Sequence, residues 1–389
     1  MKRGGKILGM ELVDVRYPTS ASGIGSDAVH TSPDYSAAYV ILKAENGEGH
    51  GLTFTVGDGN QICIAALQAF RPHIVGKTLE DITSDFGAFW RSLANEPQLR
   101  WLGPEKGVIH LALGALINAV WDLWAKVEGK PVWKLLTDLP PAELLRCIDF
   151  RYIEDALPKA EALEMLQKMV PGRAEREKRI LAEGYPAYNT SIGWMGYSDE
   201  KVKRLCQEAL AEGWTAFKMK VGGALESDLR RMEMVRAQIG WDKVLMTDAN
   251  QNWGVSQAIE ACGKFQAYKP LWIEEPTSPD DILGHKAIRE AVRPIKVATG
   301  EHCQNRVIFK QLFQAGAIDY CQIDACRLGG VNEVLAVLLM AAKFKVPVCP
   351  HAGGIGLCEY VQHLSIFDYI AVTGAMDGRW IEFVDHLHE

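Results

Sequence analysis

The sequence predicts an α/β protein, a (β/α)8-type barrel preceded by a small α+β domain. Two observations carry this. From about residue 185 onward, eight short apolar segments alternate with segments of helical period across about 200 residues. Charged residues then recur at the C-terminal ends of those segments, at intervals of roughly one βα unit.

The first 70 residues read as strands and turns. Tyr39–Lys43 is β-rich, Asn46-Gly47 marks a hairpin turn, and Gly51–Val56 alternates. A helix is expected from Gly107 to Glu128, with apolar residues at Val108, Leu111, Leu116, Ala119, Val120 and Leu123, and Pro131 to stop it. Residues 1–150 therefore form the α+β domain, and 151–184 a helical linker with an exposed, charged stretch from Pro171 to Lys178. The barrel takes 185–389. Its expected strands are Tyr188–Gly193, Thr215–Lys220, Val244–Asp248, Leu271–Glu275, Lys296–Gly300, Tyr320–Asp324, Val346–Pro350 and Trp380–Val384. Helices fit between them at Leu225–Ile239, Ser256–Phe265, Asn305–Gln314 and Val331–Phe344. A doubly wound open sheet is the alternative, weakened because no Gly-x-Gly-x-x-Gly follows a strand.

The formal charge of −7 argues against nucleic acid, which needs a basic surface. Nine cysteines without a Cys-x-x-Cys pair suggest reduced thiols rather than a disulfide framework. No signal peptide and no run of ~18 apolar residues is evident, so no membrane association is expected. The expected compartment is cytoplasmic, with organellar targeting left open, and homo-oligomerisation is left open too.

Three acids end successive strands. Asp248 closes Val244–Asp248, Glu274 closes Leu271–Glu274, and Glu301 follows Lys296–Gly300, at separations of 26 and 27 residues. Consecutive parallel strands deliver such residues to one rim of a barrel, where active sites lie. Three carboxylates gathered there repel one another unless a cation neutralises them, and an all-oxygen set points to Mg2+ rather than zinc. The rhythm continues 23 residues on to Asp324 and 27 more to His351, an expected carboxylate–imidazole dyad for acid/base work. Lys218 and Lys220, two apart, share one strand face, and each is expected to lower the other's pKa, which suits a lysine base.

Together, Lys218-x-Lys220, Asp248, Glu274, Glu301, Asp324 and His351 resemble the mandelate-racemase-like branch of the enolase superfamily, for which a Lys or His base with Mg2+ is a known pattern. Longer stretches, among them Gln98–Gly107, Trp272–Asp281 and Pro350–Gly354, resemble the L-fuconate dehydratases within it. The resemblance runs from about residue 10 to the end. It implies a modified TIM barrel whose mouth the N-terminal domain caps, Mg2+ on Asp248, Glu274 and Glu301 with Asn250 nearby, and Lys220 and His351 as the proton-carrying pair, with Asp324 orienting the histidine. It further implies that Lys218 and a protonated Glu382 meet the substrate carboxylate, and that Gly25, Ser26, Asp27 and Tyr35 meet the rest of a small sugar acid. The implied reaction is dehydration of L-fuconate to 2-keto-3-deoxy-L-fuconate through an ene-diolate. Dehydration of another acid sugar, racemisation, or a non-catalytic binding barrel are the rivals. A zinc hydrolase is disfavoured because His386 and His388 follow the last strand rather than cluster at strand ends. The chain departs from the family pattern in stopping at Glu389, soon after the eighth strand, which puts the completeness of the cap in doubt.

Overall fold

The structure, a computed structural model, describes residues 5–385; His386 and His388 lie outside the described residues. Three N-terminal strands, β1 (Ile7–Arg16), β2 (Tyr35–Ala44) and β3 (Gly47–Val56), form an antiparallel sheet in that order. The ladder pairs Ala44 with Gly47, so the hairpin turns on Glu45-Asn46, one residue earlier than the Asn-Gly signal suggests.

The helix Gly107–Glu128 lies across this sheet. It is buried almost all round between His110 and Ala125, because the sheet covers one side and the barrel helix Val331–Lys343 another. By length and composition it could cross a membrane, but 78% of its most apolar window is buried inside the protein. Two glycines of β3 let the helix backbone approach: a Cβ on Gly51 would lie 2.1 Å from the carbonyl oxygen of Ala115, and one on Gly49 2.2 Å from that of Ala119. Both contacts are with backbone, which cannot rotate aside. Gly51→Ala is therefore expected to lower stability by about 1–3 kcal/mol, read as an earlier urea midpoint. An unchanged midpoint would show that the helix can shift freely.

Seven parallel strands follow: β4 (Ala187–Asn189), β5 (Ala216–Lys220), β6 (Val244–Asp248), β7 (Trp272–Glu274), β8 (Lys296–Thr299), β9 (Tyr320–Cys321) and β10 (Ile381–Phe383). Their order is β10-β4-β5-β6-β7-β8-β9, with helices between them. The strand expected at Val346–Pro350 is a single parallel bridge from Val348 to Cys321. Pro347 and Pro350 carry no N–H, so this segment cannot sustain a ladder. The helices match expectation to within a residue or so: Leu225–Ile239, Val255–Phe265, Arg306–Ala315 and Val331–Lys343. Asn305 proves to be an N-cap, accepting from the amides of Val307 and Ile308. The charged stretch is the helix Arg173–Glu183, which buries only Ile180.

The barrel interior is filled in layers. Tyr188, Ala216, Met246, Trp272, Ala298, Tyr320 and Cys349 form one apolar cluster, one residue per strand position. The strand period is two, so the next inward residues are Lys218, Asp248 and Glu274. An apolar plug thus underlies a charged rim. All nine cysteines are free and buried.

The N-terminal domain docks on the loop that follows β9. Trp90 donates to the carbonyl of Gly329 (2.7 Å), Asn118 to that of Ala325 (2.9 Å) and Thr53 to that of Cys326 (2.9 Å). Beside these lies a buried ionic cluster in which Arg306 pairs with Glu105, Asp149 and Glu333.

Candidate active site

Asp248, Glu274 and Glu301 each offer an oxygen within 4.8 Å of the others, and all three are buried. Asp248 and Glu274 are direct neighbours in the β6–β7 ladder, as Lys220 and Asp248 are in β5–β6. Burial pushes the Glu274 carboxyl well above its ordinary value even with Lys218 beside it, so the cluster is short of positive charge. Two buried oxygens here lack a hydrogen-bond partner, Glu301 Oε2 and Asn250 Oδ1. Asn250 sits at φ 45°, held by its amide to Asp248 Oδ1 at 2.9 Å. Hard, converging, unsatisfied oxygens suit a divalent cation.

Lys218 Nζ lies 2.7 Å from Glu274 and 2.8 Å from Glu382, and Lys220 Nζ 2.5 Å from Asp248. Lys218 does act downward on Lys220, as expected, but these contacts reverse the net outcome. Burial does act downward on both, but the surrounding carboxylates outweigh it, and both are held above the ordinary lysine value. The expectation of a protonated Glu382 is corrected likewise. Its Oε1 accepts from Thr190 (2.6 Å) and faces Lys218, and its Oε2 accepts from the amide of Ala352 (2.8 Å). Burial acts upward on Glu382, yet Lys218 and His351 win and hold it at about 2. In this geometry it is an ionised acceptor.

His351 Nδ1 is 2.7 Å from Asp324 Oδ2, and its Nε2 is 3.5 Å from Glu301 and 3.2 Å from the amide of Gly353. Burial would lower the imidazole; Glu301, Asp324 and Glu382 raise it instead, to about 9. The two protonatable groups therefore flank the carboxylate cluster, Lys220 against Asp248 and His351 against Glu301.

Above them lies a cavity of about 240 Å³, reached by Lys220, His351, Glu382 and, from the N-terminal domain, Gly25, Asp27 and Tyr35. Asp27 is buried, and its carboxylate is taken up by the amides of Val29 and His30 and by the His30 ring. Gly25 has φ 77°, and a Cβ there would meet the Tyr35 ring at 2.4 Å. This segment is thus packed, not a free surface turn. Ser26 has another job than lining the cavity: its hydroxyl donates to Gly23 and accepts from the amide of Gly196, tying the segment to the loop after β4.

Three residues not picked out from the sequence join the cluster. Gln251 and His302 both hydrogen bond Glu275, which is fully buried at φ 43°, and His302 reaches Glu301 at 3.4 Å. Their adjacency to ligands, in Glu274-Glu275 and Glu301-His302, is the signal that was available. Strand alternation assigns Glu275 to the outer face, and only the left-handed turn after β7 brings it round.

Residues 201–389 match the family described as "Enolase C-terminal domain-like", and 18–137 match "Mandelate racemase / muconate lactonizing enzyme, N-terminal domain". The Homo sapiens protein "Mitochondrial enolase superfamily member 1" is 59% identical over 390 residues, covering 99% of this chain and 88% of its own length. Its crystal structure superposes with a TM-score of 0.98 at 58% identity, covering 100% of this chain and 89% of that one. The "L-galactonate dehydratase" of Hypocrea jecorina is 57% identical over 389 residues, covering 98% of this chain and 86% of its own. At the level of fold alone, the crystal structure of the "L-talarate/galactarate dehydratase" of Salmonella typhimurium LT2, "liganded with Mg and L-lyxarohydroxamate", gives a TM-score of 0.73 at 24% identity, covering 98% of this chain and 83% of that one. The chain is an enzyme of the enolase superfamily, built on its two-part mandelate racemase/muconate lactonizing plan and falling among its acid-sugar dehydratases.

Proposed function

We propose that the chain is a Mg2+-dependent dehydratase converting L-fuconate to 2-keto-3-deoxy-L-fuconate. The observation that carries this reading is the pair of proton-carrying groups, Lys220 and His351, on either side of one carboxylate cluster. A binding barrel has no use for both. Asp248, Glu274 and Glu301 would hold the metal, with Asn250 Oδ1 close by. Held there, a divalent cation would supply positive charge for an anionic substrate carboxylate and for the negative charge that develops when C2 loses its proton. The Mg-bound crystal structure of the Salmonella dehydratase supports that choice of ion.

Lys218 would hold the substrate carboxylate, itself fixed by Glu382 and Glu274. Glu382 would position both Lys218 and the turn at Ala352, rather than donate to substrate. Lys220, once neutral, takes the proton from C2, and the electrons of that bond form the ene-diolate. His351, oriented by Asp324, gives its proton to the 3-hydroxyl, which leaves as water. The resulting enol tautomerises to the 2-keto-3-deoxy acid. Substrate stereochemistry at C2 decides whether Lys220 and His351 exchange roles.

L-galactonate differs from L-fuconate only by a hydroxyl at C6, and the Hypocrea relative carries the L-galactonate name. A panel of acid sugars containing both, assayed for 2-keto product with Mg2+ added and withheld, tests the reading. L-fuconate should turn over with the highest kcat/KM, and only with the metal. Preference for L-galactonate would move the substrate by one oxygen; no product from any acid sugar would end the dehydratase reading. We place the enzyme in the cytoplasm, with an organelle as the alternative that the mitochondrial name of its relatives favours.

A further inference from the structure

Five basic side chains border the cavity: His30, Lys220, His302, Arg327 and His351. Four face a carboxylate. Lys220 meets Asp248 at 2.5 Å, His351 meets Asp324 at 2.7 Å, His302 meets Glu275 at 3.0 Å and His30 meets Asp27 at 3.1 Å. Arg327 has no such partner among the described residues; its one side-chain hydrogen bond runs from Nε to the backbone carbonyl of Glu301, at 3.3 Å. Arg327 is half-buried at the cavity wall, and the two terminal nitrogens of its guanidinium have no side-chain acceptor among the described residues, so they are open to a ligand's oxygens.

The residue is also held firmly. Its amide donates to Asp324 Oδ1 at 3.0 Å, the same carboxylate that orients His351 through its other oxygen. The preceding carbonyls, of Ala325 and Cys326, receive Asn118 and Thr53 of the N-terminal domain. Arg327 is thus tied by its side chain to the backbone of one metal-ligand candidate and by its amide to the acid/base pair. It borders the cavity on the side of the cap, where Cys63 feels its charge. In the reading above, the substrate's carboxyl end would lie at the barrel floor, by Lys218 and the three acids.

We infer that Arg327 is the specificity-determining group that reads paired oxygens of the substrate beyond C3. Its planar fork matches two acceptors side by side, whether two hydroxyls of an aldonate or the terminal carboxylate of an aldarate. This rests on the dehydratase reading for the placement of the carboxyl end. Removing the fork should then weaken long substrates while leaving the metal end untouched.

The test uses the full chain with Mg2+ and the variants Arg327→Met and Arg327→Lys. KM and kcat are measured on a six-carbon aldonate and on galactarate, and the inhibition constant is measured for glycerate, which ends at C3. Arg327→Met should raise KM for the long substrates about tenfold or more, with kcat changed far less and glycerate inhibition unchanged. Arg327→Lys should recover part of that loss. A larger loss on galactarate assigns the fork to a terminal carboxylate, and a larger loss on the aldonate assigns it to hydroxyls. Unchanged KM for both long substrates, or an equal loss of glycerate binding, overturns the assignment. Misfolding would show as a lost Mg2+-dependent thermal shift, and in that case Arg327→Lys alone decides. If the unaltered protein turns over no acid sugar, the dehydratase reading fails first and takes this one with it.

Discussion

Lys220→Ala and His351→Asn are each expected to cut dehydration by about 10²–10⁴-fold or more, as for loss of one general acid or base, while Mg2+ still shifts the thermal midpoint. The reason lies in the separation of duties around the cluster. Neither substitution touches Asp248, Glu274 or Glu301, whose oxygens lie within reach of one ion. What is lost is a proton carrier at a defined atom, Nζ in one case and Nε2 in the other. Exchange of the C2 hydrogen in D2O separates the two roles. If Lys220 is the base, His351→Asn retains exchange without dehydrating, and Lys220→Ala loses both. The reverse pattern shows that the histidine takes the C2 proton. Near-normal turnover in either variant would remove that residue from the mechanism.

Arg306→Met costs stability, about 3–5 kcal/mol by the usual consequence of removing one partner from a buried ionic group. Arg306 is 1% exposed and neutralises Glu105 at 2.8 Å, Glu333 at 3.0 Å and Asp149 at 3.2 Å. Glu105 and Asp149 come from the N-terminal part of the chain and Glu333 from the barrel helix Val331–Lys343, so the loss loosens the seam between them. The pH dependence has a defined sign. Burial acts upward on Glu333, but His110 and Arg306 outweigh it and hold its carboxyl at about 2, against an ordinary 4.5. A carboxyl depressed on folding contributes stability that is present above pH about 4.5 and lost as the pH falls towards 2. In Arg306→Met this acid-side contribution shrinks, so urea midpoints of the two proteins should differ most above pH about 5 and converge below it. A variant as stable as the parent across that range would show that the remaining arginines carry the cluster alone.

Much of the site was legible in the order of residues. The 26- and 27-residue spacings of Asp248, Glu274 and Glu301 reflect the length of a βα unit, and the two-residue step from Lys218 to Lys220 reflects the strand period. The hairpin and the Gly107–Glu128 helix follow from local patterns in the same way. Periodicity fails where backbone leaves the regular regions. Strand period points Glu275 outward, and the turn at φ 43° puts it beside His302 and the metal-ligand candidates instead.

Charge state was the other blind spot. Lys218 beside Lys220 suggests two lowered lysines, and Glu382 suggests a protonated donor. The fold sets each lysine against carboxylates from neighbouring strands, and both expectations reverse. Electrostatic energy depends on distances in space, and residues 56 or 164 positions apart, as Lys218 is from Glu274 and Glu382, meet only when the sheet curls. The same holds for Arg327, whose loop is placed by Trp90 reaching Gly329 across 239 residues. Which residues carry the chemistry is written as a one-dimensional rhythm; which of them are charged, paired or left open is settled by contacts that exist only once the cap has docked on the barrel.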